Sequence, residues 1–246
     1  MKIGLIVEKA KDFDIDHNLN IIIQTMKREK SNCDLIFFGE GFLNGFDGVC
    51  FDYNEDIKKN FINKDDIIIA KIKQSAVTYN IAVGFGFYEK EKGDLYDSYM
   101  VVNSSGKEVL CYRRISPYWK PERLFGSKYR DGKDIIPFEI NGTKMILGVC
   151  GDLYVKETRE MFKACKADIY IWPLAMYSEQ REWDLKDEEI YRNIMLEFEK
   201  DVLFVNSLLV IPGKISGGAM YSKKKDNIIV KSKWNVRDVL YYDYKK

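Results

Sequence analysis

The chain has 246 residues, of which 46% are hydrophobic and 31% charged, enough to bury roughly 70 to 75% of its unfolded surface in one large domain or two small ones. Its 39 Lys and Arg against 38 Asp and Glu leave a net charge of +1, with no long like-charge run at either end, which argues against electrostatic capture of nucleic acid or a membrane surface. The longest apolar stretches, such as residues 67–70 and 202–205, are far short of the roughly 20 needed for a span. The opening MKIGLIVEKAKDFD turns charged within its first eight positions, so neither anchor nor signal peptide is expected.

Taken in chain order, Lys2 to Val7 predicts a short strand, and Leu19, Ile22, Ile23 and Met26 give helical spacing to residues 16–30, following a possible Asp cap. Residues 33–38 predict a second, almost wholly apolar strand, residues 63–79 a capped helix, and residues 81–88 a strand interrupted by Gly84 and Gly86. A hairpin is expected from residues 98–103 and 108–114 around Ser104, Ser105 and Gly106, and Asn141-Gly142 marks another turn between residues 135–140 and 144–149. Helices at 156–165 and 183–200 then alternate with apolar strands at 168–172 and 202–205, and two or three strands close the chain between Gly217 and Tyr244. No linker, low-complexity tract or internal repeat breaks the sequence, so residues 1–246 read as a single domain, a layered α/β sandwich with mixed sheets.

Cysteines 33, 50, 111, 150 and 165 are odd in number and form no CxxC pair, which predicts reduced thiols in the cytoplasm. His17 is the sole histidine, too few for the usual zinc sites or for a triad with an imidazole base. No metal and no cofactor is expected, and a hydrolytic site would take its base from a carboxylate or a lysine.

Three segments place a reactive or charged residue at the end of an apolar strand, where α/β folds tend to build sites. In Met145-ILGVCGDLY the pattern suggests a tight strand-to-helix turn that exposes Cys150 and frees the next backbone N–H, that of Gly151, for a developing oxyanion. A small cysteine ending a core strand fits that local pattern equally well. In Cys33-DLIFFGEGFLNGF, Glu40 follows an uncharged run, where a carboxylate is costly unless a cation pairs with it. By itself it reads more readily as a solvated strand end. Leu110-CYRRISPYWKPERLF carries Arg113, Arg114, Lys120, Glu122 and Arg123 among aromatics and prolines, an ordered basic loop whose cations would favour a thiolate.

Together the segments resemble the nitrilase, or carbon-nitrogen hydrolase, superfamily, whose Glu, Lys, Cys triad has that chain order. FFGEGFLNGF resembles its PExxxxGY box, YRRISPYWKPE its YRKxxPxxPxE box, and LGVCGDLYVKETRE its GxxxCYDxRFPExxR box. KADIYIWPLA, FVNS and SGGAMYSKKKDN resemble later boxes in the correct order. The resemblance implies a four-layer α-β-β-α sandwich with two mixed β-sheets, a homodimer or higher homo-oligomer, and no nucleic-acid or membrane partner. It implies hydrolysis of a small-molecule amide or N-carbamoyl substrate through a thioester, with release of ammonia.

By that resemblance Glu40 is the base and Cys150 the nucleophile, Glu122 is the second glutamate, and Gly151 with Asp152 lies at the oxyanion and substrate. Arg114 stands where the family has its lysine. Lys120, in the same loop, competes for the role of cation and is slightly favoured, because an ammonium is compact and can exchange a proton whereas a guanidinium stays charged. Gly151 replaces the family's aromatic, and Pro173-Leu174 replaces its Pro-Ser. The altered lysine position also permits a nitrilase-like protein that binds an amide or a partner without turnover, and a bare redox-sensitive Cys150 is the least specific alternative.

Overall fold

The computed structural model describes residues 1–245. The first half runs β1 (Lys2–Val7), α1 (Ile15–Glu29), β2 (Leu35–Phe37), α2 (Ile67–Tyr79), β3 (Ala82–Glu91), β4 (Asp94–Val102) and β5 (Glu108–Arg113). The second half continues with β6 (Phe138–Ile140), β7 (Thr143–Leu147), α3 (Gly151–Tyr154), α4 (Lys156–Ala164), β8 (Ile169–Leu174) and β9 (Tyr177–Glu179). It closes with α5 (Glu188–Leu196), β10 (Asp201–Asn206), β11 (Lys214–Ser216), β12 (Ala219–Lys223), β13 (Ile228–Lys231) and β14 (Asp238–Asp243).

Two six-stranded mixed sheets result, in the orders β14-β1-β2-β3-β4-β5 and β13-β12-β10-β8-β7-β6, with a small β11-β9 pair beside them. Each large sheet has three consecutive parallel strands, an antiparallel strand beside the first of them and two antiparallel strands beyond the last. The sheets therefore repeat one topology, a repeat that the sequence does not show as residue identity.

Period-two alternation sorts the strand residues between layers. Leu35 and Phe37 join Ile3, Leu5, Tyr99, Leu147 and Ile171 in the core that the sheets share, while Ile36 faces the other way with Val83 and Phe85. Leu19, Ile22 and Met26 of α1 and Ile69, Ile72 and Ala76 of α2 cover that outer face. On the far side, Phe162 of α4 and Ile194 and Met195 of α5 belong to the larger core, and Tyr191 of α5 packs on Trp172 and Phe204. The layering is α-β-β-α, as expected. Among the described residues no helix is long and apolar enough to cross a membrane.

Local signals moved several boundaries. The Asp cap of α1 is Asp14, which accepts from the His17 N–H at 3.1 Å and starts the helix at Ile15. Asp66 caps α2, so the helix begins at Ile67 after a turn. The helix expected from residue 183 opens as a wide turn at Trp183–Asp187 and becomes regular only over α5. Strand β3 continues through Glu91 into a hairpin with β4, because Glu89 pairs with Arg113 across the sheet and its charge is met there.

Candidate active site

The C-terminal ends of β2, β7 and β8 meet where the two sheets face each other. At Gly39 the end of β2 passes so close to the second sheet that a Cβ would stand 2.5 Å from the Leu174 carbonyl oxygen. The next residue, Glu40, donates its backbone N–H to that same oxygen at 3.1 Å and receives the Ala175 N–H on Oε2 at 3.1 Å. The acid of one sheet is thus bonded to the strand end of the other.

Cys150 sits at the turn from β7 into α3 with φ 45° and ψ −104°, a conformation strained for a residue with a side chain by about 1–3 kcal/mol. Its N–H donates to the Pro173 carbonyl at 2.9 Å, and Trp172 Nε1 donates to its carbonyl at 2.8 Å. At about 1 kcal/mol each, these bonds offset most of that strain. Asp152 completes the turn. It is fully buried and accepts from the Val149 N–H (2.9 Å), Tyr112 Oη (2.6 Å), the Ile115 N–H (3.0 Å) and the Ser116 N–H (2.7 Å). Its carboxyl therefore clamps the loop around Arg114 to the nucleophile turn. With both oxygens taken by protein donors, Asp152 is a support for the site rather than the substrate contact expected from the sequence.

Arg114 is 5% exposed and projects into the space between these ends. Its Nη1 donates to Glu40 Oε1 at 2.6 Å, and its Nε donates to Ser116 Oγ at 2.8 Å. Its Nη2 lies over Gly151, where a built Cβ would be 2.5 Å from Nη2 and 2.6 Å from Ser116 Oγ. The missing side chain at 151 is the space that the guanidinium occupies. Burial works against the charge of Arg114, but Glu40, Cys150 and Asp97 outweigh it and hold its pKa above the ordinary value.

Lys120 does not take that place. Its ammonium pairs with Asp131 and lies 4.9 Å from the Trp119 ring centroid and 5.6 Å from that of Phe125. Burial lowers its pKa, against the pull of Asp131. Glu122 stands exposed at the head of a single 3-10 turn, Glu122–Leu124. Among the described residues its side chain makes no hydrogen bond or ion pair to Glu40, Arg114, Lys120 or Cys150.

Glu40 lies near enough to the Cys150 thiol to act on it electrostatically. Burial, then Glu40, pushes that thiol's pKa well up, and Arg114 only partly opposes them, so the resting sulfur is a thiol rather than the thiolate expected from the basic loop. Tyr191, packed between Trp172 and Trp183 at ring separations of 5.5 and 5.8 Å, senses Cys150 electrostatically and forms an aromatic wall beside it. Asp97 of β4 also reaches the cluster, with a carboxyl oxygen 3.6 Å from Arg114 Nη1. Nothing in YDSYMVV marked it, because period-two alternation shows that a residue faces one side of a sheet but not what lies opposite. Among the described residues, no group of three or more His, Cys, Asp and Glu side chains could hold a metal ion.

A buried acid near a thiol, a cation fixed on that acid and, among the described residues, a backbone N–H after the thiol with no acceptor form an arrangement suited to cysteine chemistry without histidine. The comparisons agree with that class. A carbon-nitrogen hydrolase family model matches residues 4–245, and the chain belongs to that family. An (R)-stereoselective amidase of Pseudomonas sp is 25% identical over 171 residues, covering 70% of this chain and 59% of that protein. An arylacetone-specific nitrilase of Alcaligenes faecalis is 23% identical over 183 residues, again 70% of this chain, but the chain spans only 51% of that enzyme's length. The amidase of Nesterenkonia sp. AN1 superposes with a TM-score of 0.81 at 16% identity, over 100% of this chain and 93% of that one. One of its structures shows Michael addition of acrylamide at its active-site cysteine.

Proposed function

We propose that this protein hydrolyses the carbon-nitrogen bond of a small amide or N-carbamoyl compound through a thioester on Cys150. The observation that carries this reading is Glu40, a buried carboxylate that accepts from the Arg114 guanidinium at 2.6 Å and lies near enough to Cys150 to raise its thiol's pKa. Glu40 removes the thiol proton as sulfur attacks the carbonyl carbon, and the C=O π electrons move onto oxygen. The Gly151 N–H and Arg114 Nη2 stabilise that oxyanion. Glu40 returns the proton to the leaving nitrogen, ammonia or an amine departs, and Glu40 then activates the water that cleaves the thioester. A neutral resting thiol suits this sequence, since the proton leaves only when attack begins.

Incubation with a panel of ω-amides and N-carbamoyl compounds, read by ammonia release and by intact mass for an acyl adduct, tests the proposal. Ammonia with a transient adduct supports it. A second reading, retention of the amide without turnover, is favoured by one observation: the site's cation is a guanidinium, a poor proton donor. It is distinguished by ligand-induced stabilisation with neither ammonia nor adduct. The exposed Tyr154, Met161, Leu185 and Ile190 on and beside α3 to α5 support self-association through the outer helical layer, which light scattering on the purified chain tests.

A further inference from the structure

Asp97 is a third carboxyl in the cluster and has no role in the mechanism above. Its strand neighbours explain how it comes to be there. β4 pairs with β3 on one side, placing Asp97 opposite Tyr88, and with β5 on the other, where the Arg114 N–H donates to the Asp97 backbone carbonyl at 2.9 Å. The side chain then points into the site and is 2% exposed.

Asp152 and Asp97 are both buried carboxyls, yet their partners differ. Asp152 takes bonds from one hydroxyl and three backbone N–H groups. Among the described residues no donor reaches either Asp97 oxygen, and Arg114 Nη1, at 3.6 Å, is beyond hydrogen-bond length and already committed to Glu40. The group that does approach is another acid, because one nitrogen, Arg114 Nη1, stands 2.6 Å from a Glu40 oxygen and 3.6 Å from an Asp97 oxygen, which sets the two carboxyls side by side. Two carboxylates have no hydrogen between them, and an ionised carboxylate buried without a donor is strongly disfavoured. A single proton on Asp97 resolves both conflicts.

We propose that Asp97 holds a proton in the resting protein and donates it in a hydrogen bond to Glu40, so that Arg114 faces one negative charge rather than two. Asp97 is a positioning residue in this account, since it acts on Glu40 and not on the substrate. Because a guanidinium does not give up its proton, a fixed charge count around Glu40 has to be set by a neighbour that does hold one. Burial, with Glu40 second, favours the neutral acid, while Arg114 opposes it. The other titratable or charged groups near it are Tyr88 on β3, Cys150 and Asp152 at the nucleophile turn, and Lys120 in the loop after β5. The proposal rests on the geometry of the proposed active site, but it can be measured without any substrate.

The sign follows from linkage. Above the ordinary aspartate range the unfolded chain has lost this proton and the folded chain keeps it, so the group's contribution to stability falls as pH rises. Replacing it with a neutral isostere removes that loss. Asp97→Asn should therefore raise the urea midpoint at pH 7 relative to wild type, with the gap narrowing steadily as pH is lowered toward 5. The infrared spectrum of the folded wild type should contain a protonated-carboxyl C=O band that Asp97→Asn lacks, with Asp97→Ala as a control for packing. A lower midpoint for Asp97→Asn at pH 7, or an unchanged carboxylic-acid band, would mean that Asp97 is an ionised partner of Arg114 and would overturn the proposal. Absence of amide turnover leaves both readouts intact, so failure of the proposed activity and failure of this inference are separable.

Discussion

The guanidinium of Arg114 fills the place that a side chain on Gly151 would take, with Nη2 only 2.5 Å from where the first carbon would stand. Length at one position and absence at the other are a matched pair. Arg114 cannot easily move aside, because Glu40 and Ser116 hold its other nitrogens. Gly151→Ala should therefore push Nη2 off the oxyanion position and lower kcat on the order of hundredfold, comparable to the loss of one preorganised donor. In an Arg114→Lys background the same alanine meets no guanidinium and should cost several-fold less. Equal penalties in the two backgrounds would show that the residues do not interact.

The nucleophile assignment has the simplest test. Cys150→Ala should abolish amide turnover and acyl-adduct formation, and Cys150→Ser should nearly do so. Wild-type ammonia release by either variant would reject Cys150.

The choice of cation separates by contrast between two variants. Arg114→Ala should reduce kcat on the order of hundredfold or more. Lys120→Ala should act chiefly on thermal stability, since the ammonium is committed to Asp131 and not to Glu40. Steady-state kinetics alongside thermal melts would reverse the assignment if the lysine variant lost the greater share of kcat.

Asp152 should behave as a clamp. Asp152→Ala leaves the N–H groups of Val149, Ile115 and Ser116 without their acceptor, a loss on the order of 3 kcal/mol or more in urea unfolding. Asp152→Asn keeps one acceptor oxygen and should recover part of it.

Two cysteines outside the site set an alkaline limit. Burial pushes the thiols of Cys33 and Cys111 up to about 12, from an ordinary 9.0. Above pH 9 the unfolded chain releases these protons while the folded chain retains them, so stability is intact below about pH 9 and declines as pH climbs toward 12. Urea midpoints between pH 8 and 11 should fall less steeply for the Cys33→Ser/Cys111→Ser double variant than for wild type.

The pairing of Glu40 with Cys150 was suggested by the ordered boxes that contain them and not by either apolar run, since each run alone fits a structural residue as well or better. The α-β-β-α layering was legible for a different reason: β2, β8 and β10 are buried on both faces, and such strands read as unbroken hydrophobic runs. The identity of the cation was not, since Arg114 and Lys120 share one loop and the choice was made by Asp131, which claims the lysine. Asp97 and the clamp of Asp152 were invisible for the same physical reason. Both depend on what another strand presents across the interior, and local spacing carries no record of that.

Glu40 belongs to one sheet and Cys150 to the other, and the backbone bond from Glu40 to Leu174 spans the gap. The proposed chemistry therefore comes into being only on docking of the two halves. A lesion in the shared interior that slides one slab against its mate by an ångström would silence the protein while leaving circular dichroism untouched, and thiol alkylation kinetics would register the slip before any melting curve did.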